Sequence, residues 1–196
     1  MYFKELDLPP IPEELLEFKF EPSIGVTDIG YGRPHIKNGK LLKPCEYWFS
    51  KNINPELAEW IYKNIIQDTK SIEIGCQVAT NGVHIVHSDI NRRYAINYMI
   101  ELGGDDAWTS WYKELNKPIN RSKRTGNTQA DTGYVGYENL ELLDSVKFKK
   151  NKWYLIATNI LHDVDNIVGD RKSISISIRP YKEKRIFKIL GIEDDL

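Results

Sequence analysis

Four histidines occur in the 196-residue chain, and two of them stand where a metal centre would need them. His87-Ser88-Asp89 sets an imidazole and a carboxylate two positions apart. On a β-strand, where successive side chains alternate between faces, that spacing brings both groups to one side. Helical spacing would not. His162 closes the apolar segment from Trp153 to Leu161, after which Asp163, Asp165, Asn166 and Gly169 break the pattern, and a histidine at a strand end can reach a barrel mouth. Two neutral imidazoles and one carboxylate leave a divalent ion near +1 with, in octahedral geometry, about three open positions. Open positions mean chemistry; a structural site would be closed, and neither Cys45 nor Cys76 belongs to a Cys-x-x-Cys pair.

Arg171 follows His162 by nine residues and begins an alternation in which Arg171, Ser173, Ser175 and Ser177 share one face and Lys172, Ile174, Ile176 and Ile178 the other. Read alone, the serine face suits solvent as well as a barrel interior; the position of Arg171 favours the interior. There the guanidinium supplies a planar fork of donors for a buried carboxylate, with the Ser173 hydroxyl beside it, a pair suited to holding a dicarboxylate. Other polar residues read more plainly. His84, three before His87, falls on the opposite face of an ideal strand and reads as a non-ligand. Asp163 and Asp165 read as solvated loop acids, Cys76 as a buried apolar thiol, and the basic cluster Asn120 to Arg124 as a solvated surface. Trp108, Trp111 and Tyr112 read as packing residues, and His35 carries no signal.

These side chains need a scaffold that is mostly strand. Asn54-Pro55-Glu56 opens a helix, with Leu57, Trp60, Ile61 and Ile65 at helical spacing. From Ser71, Ile72, Ile74, Cys76 and Val78 alternate as in a strand; Asn81-Gly82 suits a tight hairpin turn, and the returning strand carries His87 and Asp89. Further strands are expected over 94–101, 107–112, 154–162 and 172–178, while 113–137 is a long polar connection and 1–50 is irregular. Many short strands with one or two helices argue for a barrel or double-sheet sandwich with flanking helices. One domain, 1–196, is expected, with 1–70 as N-terminal support and about 70–180 as the core. With 27 basic and 28 acidic residues the formal charge is −1, which disfavours a wholesale polyanion binder. No apolar run approaches the length of a membrane span. Two cysteines and the absence of a basic-then-apolar leader at Met1 to Asp7 lead to the expectation of a cytoplasmic protein.

As a set, His87-Ser88-Asp89, Arg93 to Tyr98, Gly103-Gly104 with Trp108 to Tyr112, Asn159 to Asn166 and Arg171 to Ser175 resemble the Fe(II)- and 2-oxoglutarate-dependent dioxygenases. The likeness is to small stand-alone members of phages and marine bacteria with a prolyl-hydroxylase-like core. It implies a double-stranded β-helix, the jelly-roll or cupin-like barrel, over about 70–180. It further implies iron on His87, Asp89 and His162, and the distal carboxylate of 2-oxoglutarate on Arg171 and Ser173; Asn97, by type more often a packing residue, is taken separately as a further cosubstrate contact. Oxygen would be the second cosubstrate, succinate and CO2 the co-products, and hydroxylation the usual outcome. Asp89 disfavours halogenation, which uses a small residue there. Gln77 stands where some relatives present a tyrosine, and residues 1–50 match no part of the pattern. The primary substrate stays open among a small molecule, a protein residue and a nucleotide. The alternatives are a non-catalytic jelly-roll or phage-associated module, and a cupin-like metalloenzyme that does not use 2-oxoglutarate.

Overall fold

The computed structural model describes residues 1–16, 36–67, 72–89, 92–115, 130–131 and 137–192. His35 and the basic cluster at 120–124 lie outside them. In chain order the strands are β1 (Phe3–Leu6), β2 (Ile36–Lys37), β3 (Lys40–Leu41), β4 (Glu46–Ser50), β5 (Ile72–Asp89), β6 (Tyr94–Leu102), β7 (Trp108–Glu114), β8 (Ala130–Asp131), β9 (Leu140–Val146), β10 (Trp153–Ala157) and β11 (Leu161–Ile178). The two α-helices are α1 (Pro55–Ile61) and α2 (Glu183–Ile189).

β5 and β11, 18 residues each, organise the rest. They pair antiparallel along nearly their whole length, bend together, and so belong to two layers. Their outer halves lie in a first sheet ordered β4-β5-β11-β6-β10-β1. Their other halves lie in a second, where β5, β11, β7 and β9 are neighbours. The eight core segments 72–79, 84–89, 94–102, 108–114, 140–146, 153–157, 161–165 and 171–178 thus divide between two four-stranded ladders, changing ladder at every step except between 108–114 and 140–146, which pair with each other. That winding is the double-stranded β-helix, a mainly β fold with flanking helices.

The corner in β5 falls on Asn81 and Gly82, whose φ values of +47° and +140° fulfil the turn chemistry of that dipeptide. The chain nevertheless does not reverse there, as a hairpin would; it passes from one sheet to the other. Residues 43–45 cross the corner, Val83 N donating to Lys43 O and Cys45 N to Val83 O, both at 2.9 Å. A Cβ at Gly82 would stand 2.5 Å from Lys43 O, so only glycine fits. Opposite, Asn166 and Gly169 at positive φ and three register shifts bend β11 in step.

The outer face of the first sheet is the main core. Ile174, Ile176 and Ile178, each fully buried, pack with Ile96 and Leu155 beneath α1 and α2. α1 starts as its sequence dictates: Asn54 Oδ1 accepts from Glu56 N at 2.9 Å and Pro55 takes the first turn. It runs on into a π-helical turn over Tyr62–Ile66 that ends at Gln67. Among the described residues no helix is long and apolar enough to cross a membrane.

Two expectations change. Residues 1–50 are not merely irregular, since β1 pairs with β10 and β4 with β5, extending the first sheet at both edges. The segment expected as one strand over 154–162 is divided between β10 and β11, so His162 opens a long strand instead of closing a short one.

Candidate active site

Residues directly opposite one another in an antiparallel ladder share a face, so the registers fix what lines the space between the sheets. Across the first sheet run the rows Arg171–Ala79–Tyr47, Ser173–Gln77–Phe49 and Asn97–Ser175–Gly75. Ile174, Ile176 and Ile178 fill the other face, so the serine face is the interior one, and Arg171, Ser173, Ser175 and Ser177 are all buried. Across the second sheet run His84–Val164–Thr109 and then His87–His162–Trp111, with Asp89 two residues further along β5. A hydrogen bond of 3.0 Å from Arg171 Nη2 to Thr109 Oγ1 ties the sheets together and sets Arg171 level with the His84 row.

His87 and His162 face each other with ring centroids 4.4 Å apart. Each holds its Nδ1 2.8 Å from the carbonyl two residues earlier on its own strand, Ile85 O and Ile160 O. A carbonyl only accepts, so the proton sits on Nδ1 and each neutral ring keeps a lone pair on Nε2, the arrangement that pre-orients metal-binding imidazoles. Burial, and then the neighbouring His87, push His162 down to about 4. Burial likewise lowers His87.

Asp89 is held by a residue that the sequence reading missed. Arg92 Nε donates to Asp89 Oδ2 at 2.5 Å, while its Nη1 reaches Ser177 Oγ at 2.7 Å and Ser175 Oγ at 3.4 Å. Burial opposes ionisation of Asp89, but Arg92, with His87 and His162, more than offsets it, and the carboxyl lies below its ordinary value. The only signal in the sequence was a basic residue three positions after Asp89. In kind, the donors fit a divalent cation: two Nε2 lone pairs and an ionised carboxylate in one neighbourhood. As they stand, however, no three His, Cys, Asp or Glu side chains among the described residues are gathered into a ready metal cluster. Seating an ion requires the Asp89 carboxylate to share or leave Arg92.

Arg171 is 9% exposed, and none of the ion pairs among the described residues includes it. Besides Thr109 it donates from Nη1 to Leu102 O at 3.1 Å, and its guanidinium lies 5.6 Å from the centre of the Phe148 ring. Gly103, at φ +76°, leaves room for it, since a Cβ there would stand 2.9 Å from the Arg171 Cβ. Burial drops the guanidinium from 12.5 to about 10. Ser173 donates to Gln77 Oε1 at 3.3 Å. Asn97 shares the interior face, and its Oδ1 is buried without a partner.

The face expected for His84 is overturned. Between its row and the next, β5 takes three steps where β11 takes two, from Val164 to His162. This bulge adds one residue to β5 and rotates His84 onto the interior face. Its ring lies 4.5 Å from that of His87 and stacks on Tyr47 at 4.6 Å.

Asp163 is not a solvated loop acid either. It alternates with His162, faces the outside of the second sheet and is fully buried beneath Lys37. Tyr137 donates to Asp163 Oδ2 at 2.8 Å and Tyr112 to the same oxygen at 3.1 Å; Lys37 Nζ donates to Asp163, Asp165 and Tyr112 and lies 4.9 Å from the Tyr137 ring centre. Two carboxyls share one ammonium. Burial, together with Asp165, pushes Asp163 up to about 6. This cluster fastens the β2–β3 hairpin and backs His162 without touching the interior. Cys76 is a buried apolar thiol of the main core, as expected.

No family model matches the chain, and no curated protein matches it. Among solved structures, a cupin-like protein from Thermotoga maritima aligns over 71% of this chain and 73% of its own at 13% identity, with a TM-score of 0.32. The fold assignment rests on the strand pairing described above.

Proposed function

We propose that the protein is an Fe(II)- and 2-oxoglutarate-dependent dioxygenase that oxidises, most simply hydroxylates, a second substrate with release of succinate and CO2. One observation carries the reading. Arg171 is a buried cation without an acidic partner among the described residues, on the same strand as His162, and a buried charge is stable only when paired. A dicarboxylate with one end on Arg171 and the other toward the imidazole pair supplies that partner. Bound iron would contribute the activation of oxygen.

The chain's own residues supply the rest. His87 and His162, locked in one tautomer by backbone carbonyls, would be two metal ligands, and Asp89 the third once it shares its charge between Arg92 and the ion. Arg171, Ser173 and Asn97 would bind the cosubstrate, and the hydrophobic wall of Met99, Trp111 and Phe148 limits water around it. A second reading, a module that binds a carboxylate ligand without turnover, draws support from the Arg92–Asp89 pair.

Anaerobic titration separates the two. Addition of Fe(II) and then 2-oxoglutarate should develop a visible charge-transfer band, and admission of oxygen should release succinate; His87→Ala should abolish both. Arg171→Met should weaken 2-oxoglutarate binding at least about 10-fold while leaving Fe(II) affinity in place, the scale of a lost charge-assisted contact. Absence of both the band and succinate in the wild type overturns the oxygenase reading.

A further inference from the structure

His84 is left without a task by the metal set, yet it occupies the ground between the two poles of the chamber. It sits one row from His87 and His162 on the side of Arg171, on the interior face of the second sheet. Its Nε2 is buried with no hydrogen-bond partner. An orphaned polar atom at such a place loses about 1–3 kcal/mol of hydrogen bonding unless a ligand restores it. The ring has little freedom to find another partner, being stacked on Tyr47 within 15° of coplanarity and packed against His87.

From this we infer that His84 is a ligand-binding residue of the anion pocket, donating Nε2–H to the dicarboxylate whose far end Arg171 anchors. The inference rests on the dioxygenase reading and deepens it. The pocket would then present a guanidinium from β11, an imidazole from β5 and the Ser173 hydroxyl, so that both long strands grip the same anion. The bulge in β5 is what makes this possible, because an unbulged strand would turn His84 outward. Asn97, the other orphan on the interior face, belongs to a row further from Arg171 and is left to the cosubstrate contacts already proposed.

The test uses the full chain and measures two affinities separately: Fe(II) alone under anaerobic conditions, then 2-oxoglutarate on the Fe(II)-loaded protein, by calorimetry. Three proteins are compared, the wild type, His84→Phe and His84→Gln, the last retaining an N–H donor of similar reach. The expected result is a 2-oxoglutarate Kd raised about 10-fold or more in His84→Phe, partly restored in His84→Gln, with Fe(II) Kd unchanged within about 2-fold. An unchanged 2-oxoglutarate Kd in a folded His84→Phe overturns the inference, and so does a fall in Fe(II) affinity as large as that for 2-oxoglutarate, which would make His84 a third imidazole on the metal. Should His84→Phe fail to fold, His84→Leu takes its place and is read by the same two outcomes. A wild type that binds Fe(II) but no 2-oxoglutarate fails the dioxygenase reading itself, a different outcome from these.

Discussion

Arg92→Gln is the substitution whose consequences can be worked out most fully. The Arg92 and Asp89 side chains are 15% and 7% exposed, so their pairing is largely shielded from water. Removing the guanidinium leaves a buried carboxylate without its counter-ion and breaks the contact to Ser177, for which a loss of about 3–5 kcal/mol is the usual scale. For a chain of this size that lowers Tm by roughly 6–20 °C, at about 2–4 °C per kcal/mol. The loss must depend on pH. In the wild type Asp89 is held below its unfolded value of about 3.9, so the stability it contributes is present above that pH and is lost as the pH falls through the lower folded value. In the variant the largest opposition to burial is gone and only His87 and His162 remain against it, so the carboxyl rises and stability declines as the pH climbs from about 4. The gap between the two proteins should therefore be widest near neutrality and close toward pH 4. A divalent cation, binding where the guanidinium had supplied charge, should raise the Tm of the variant more than that of the wild type. Urea unfolding of the metal-free proteins between pH 4 and pH 8, and thermal melts with and without Co(II), measure all of this. A deficit under about 1 kcal/mol at pH 7, or one independent of pH, refutes the argument, because Asp89 would then have to be solvated.

Three further outcomes follow from the same structure. Asp163, raised to about 6, keeps its proton in the folded state over a range where the unfolded chain has lost it; wild-type stability relative to Asp163→Asn should fall by ~2–3 kcal/mol between pH 4 and pH 7, read from urea midpoints. Ile176→Ala empties a fully buried position on the helix side of the first sheet and should cost about 2–5 kcal/mol in urea unfolding while leaving Fe(II) affinity within about 2-fold. Gly82→Ala sets a methyl 2.5 Å from Lys43 O and should lower Tm measurably, with faster amide exchange at Val83 and Cys45, which are bonded across that corner.

What the sequence revealed depended on how local the cause was. Strand alternation separated the serine face from the face of Ile174, Ile176 and Ile178, which demand an apolar neighbour whatever surrounds them, and the position of Arg171 assigned the serines to the interior. The cap at Asn54 and the positive φ at Asn81 and Gly82 are likewise local chemistry. The direction of the chain after Asn81-Gly82 is not: a hairpin and a sheet corner use the same backbone angles, and only the long partner β11 decides between them. His84 was misplaced for a related reason, since one extra residue in a strand inverts the face of everything before it and nothing in Val83 to His87 announces a bulge. Asp163 and Asp165 read as loop acids because polar residues break an apolar pattern, whereas their partner Lys37 lies more than 120 residues away. The edge strands β1 and β4 acquire their conformation from the sheet they join, a tertiary effect invisible in Phe3 to Leu6 or Glu46 to Ser50 alone.

His162 and Arg171 stand nine residues apart on one strand, which β5 follows through three register shifts. The spacing between the two poles is consequently a property of covalent chain, gauged like the jaws of a calliper and indifferent to how the surrounding loops move. Any molecule that bridges them is measured for length first, and a diacid one methylene too short or too long must release one jaw.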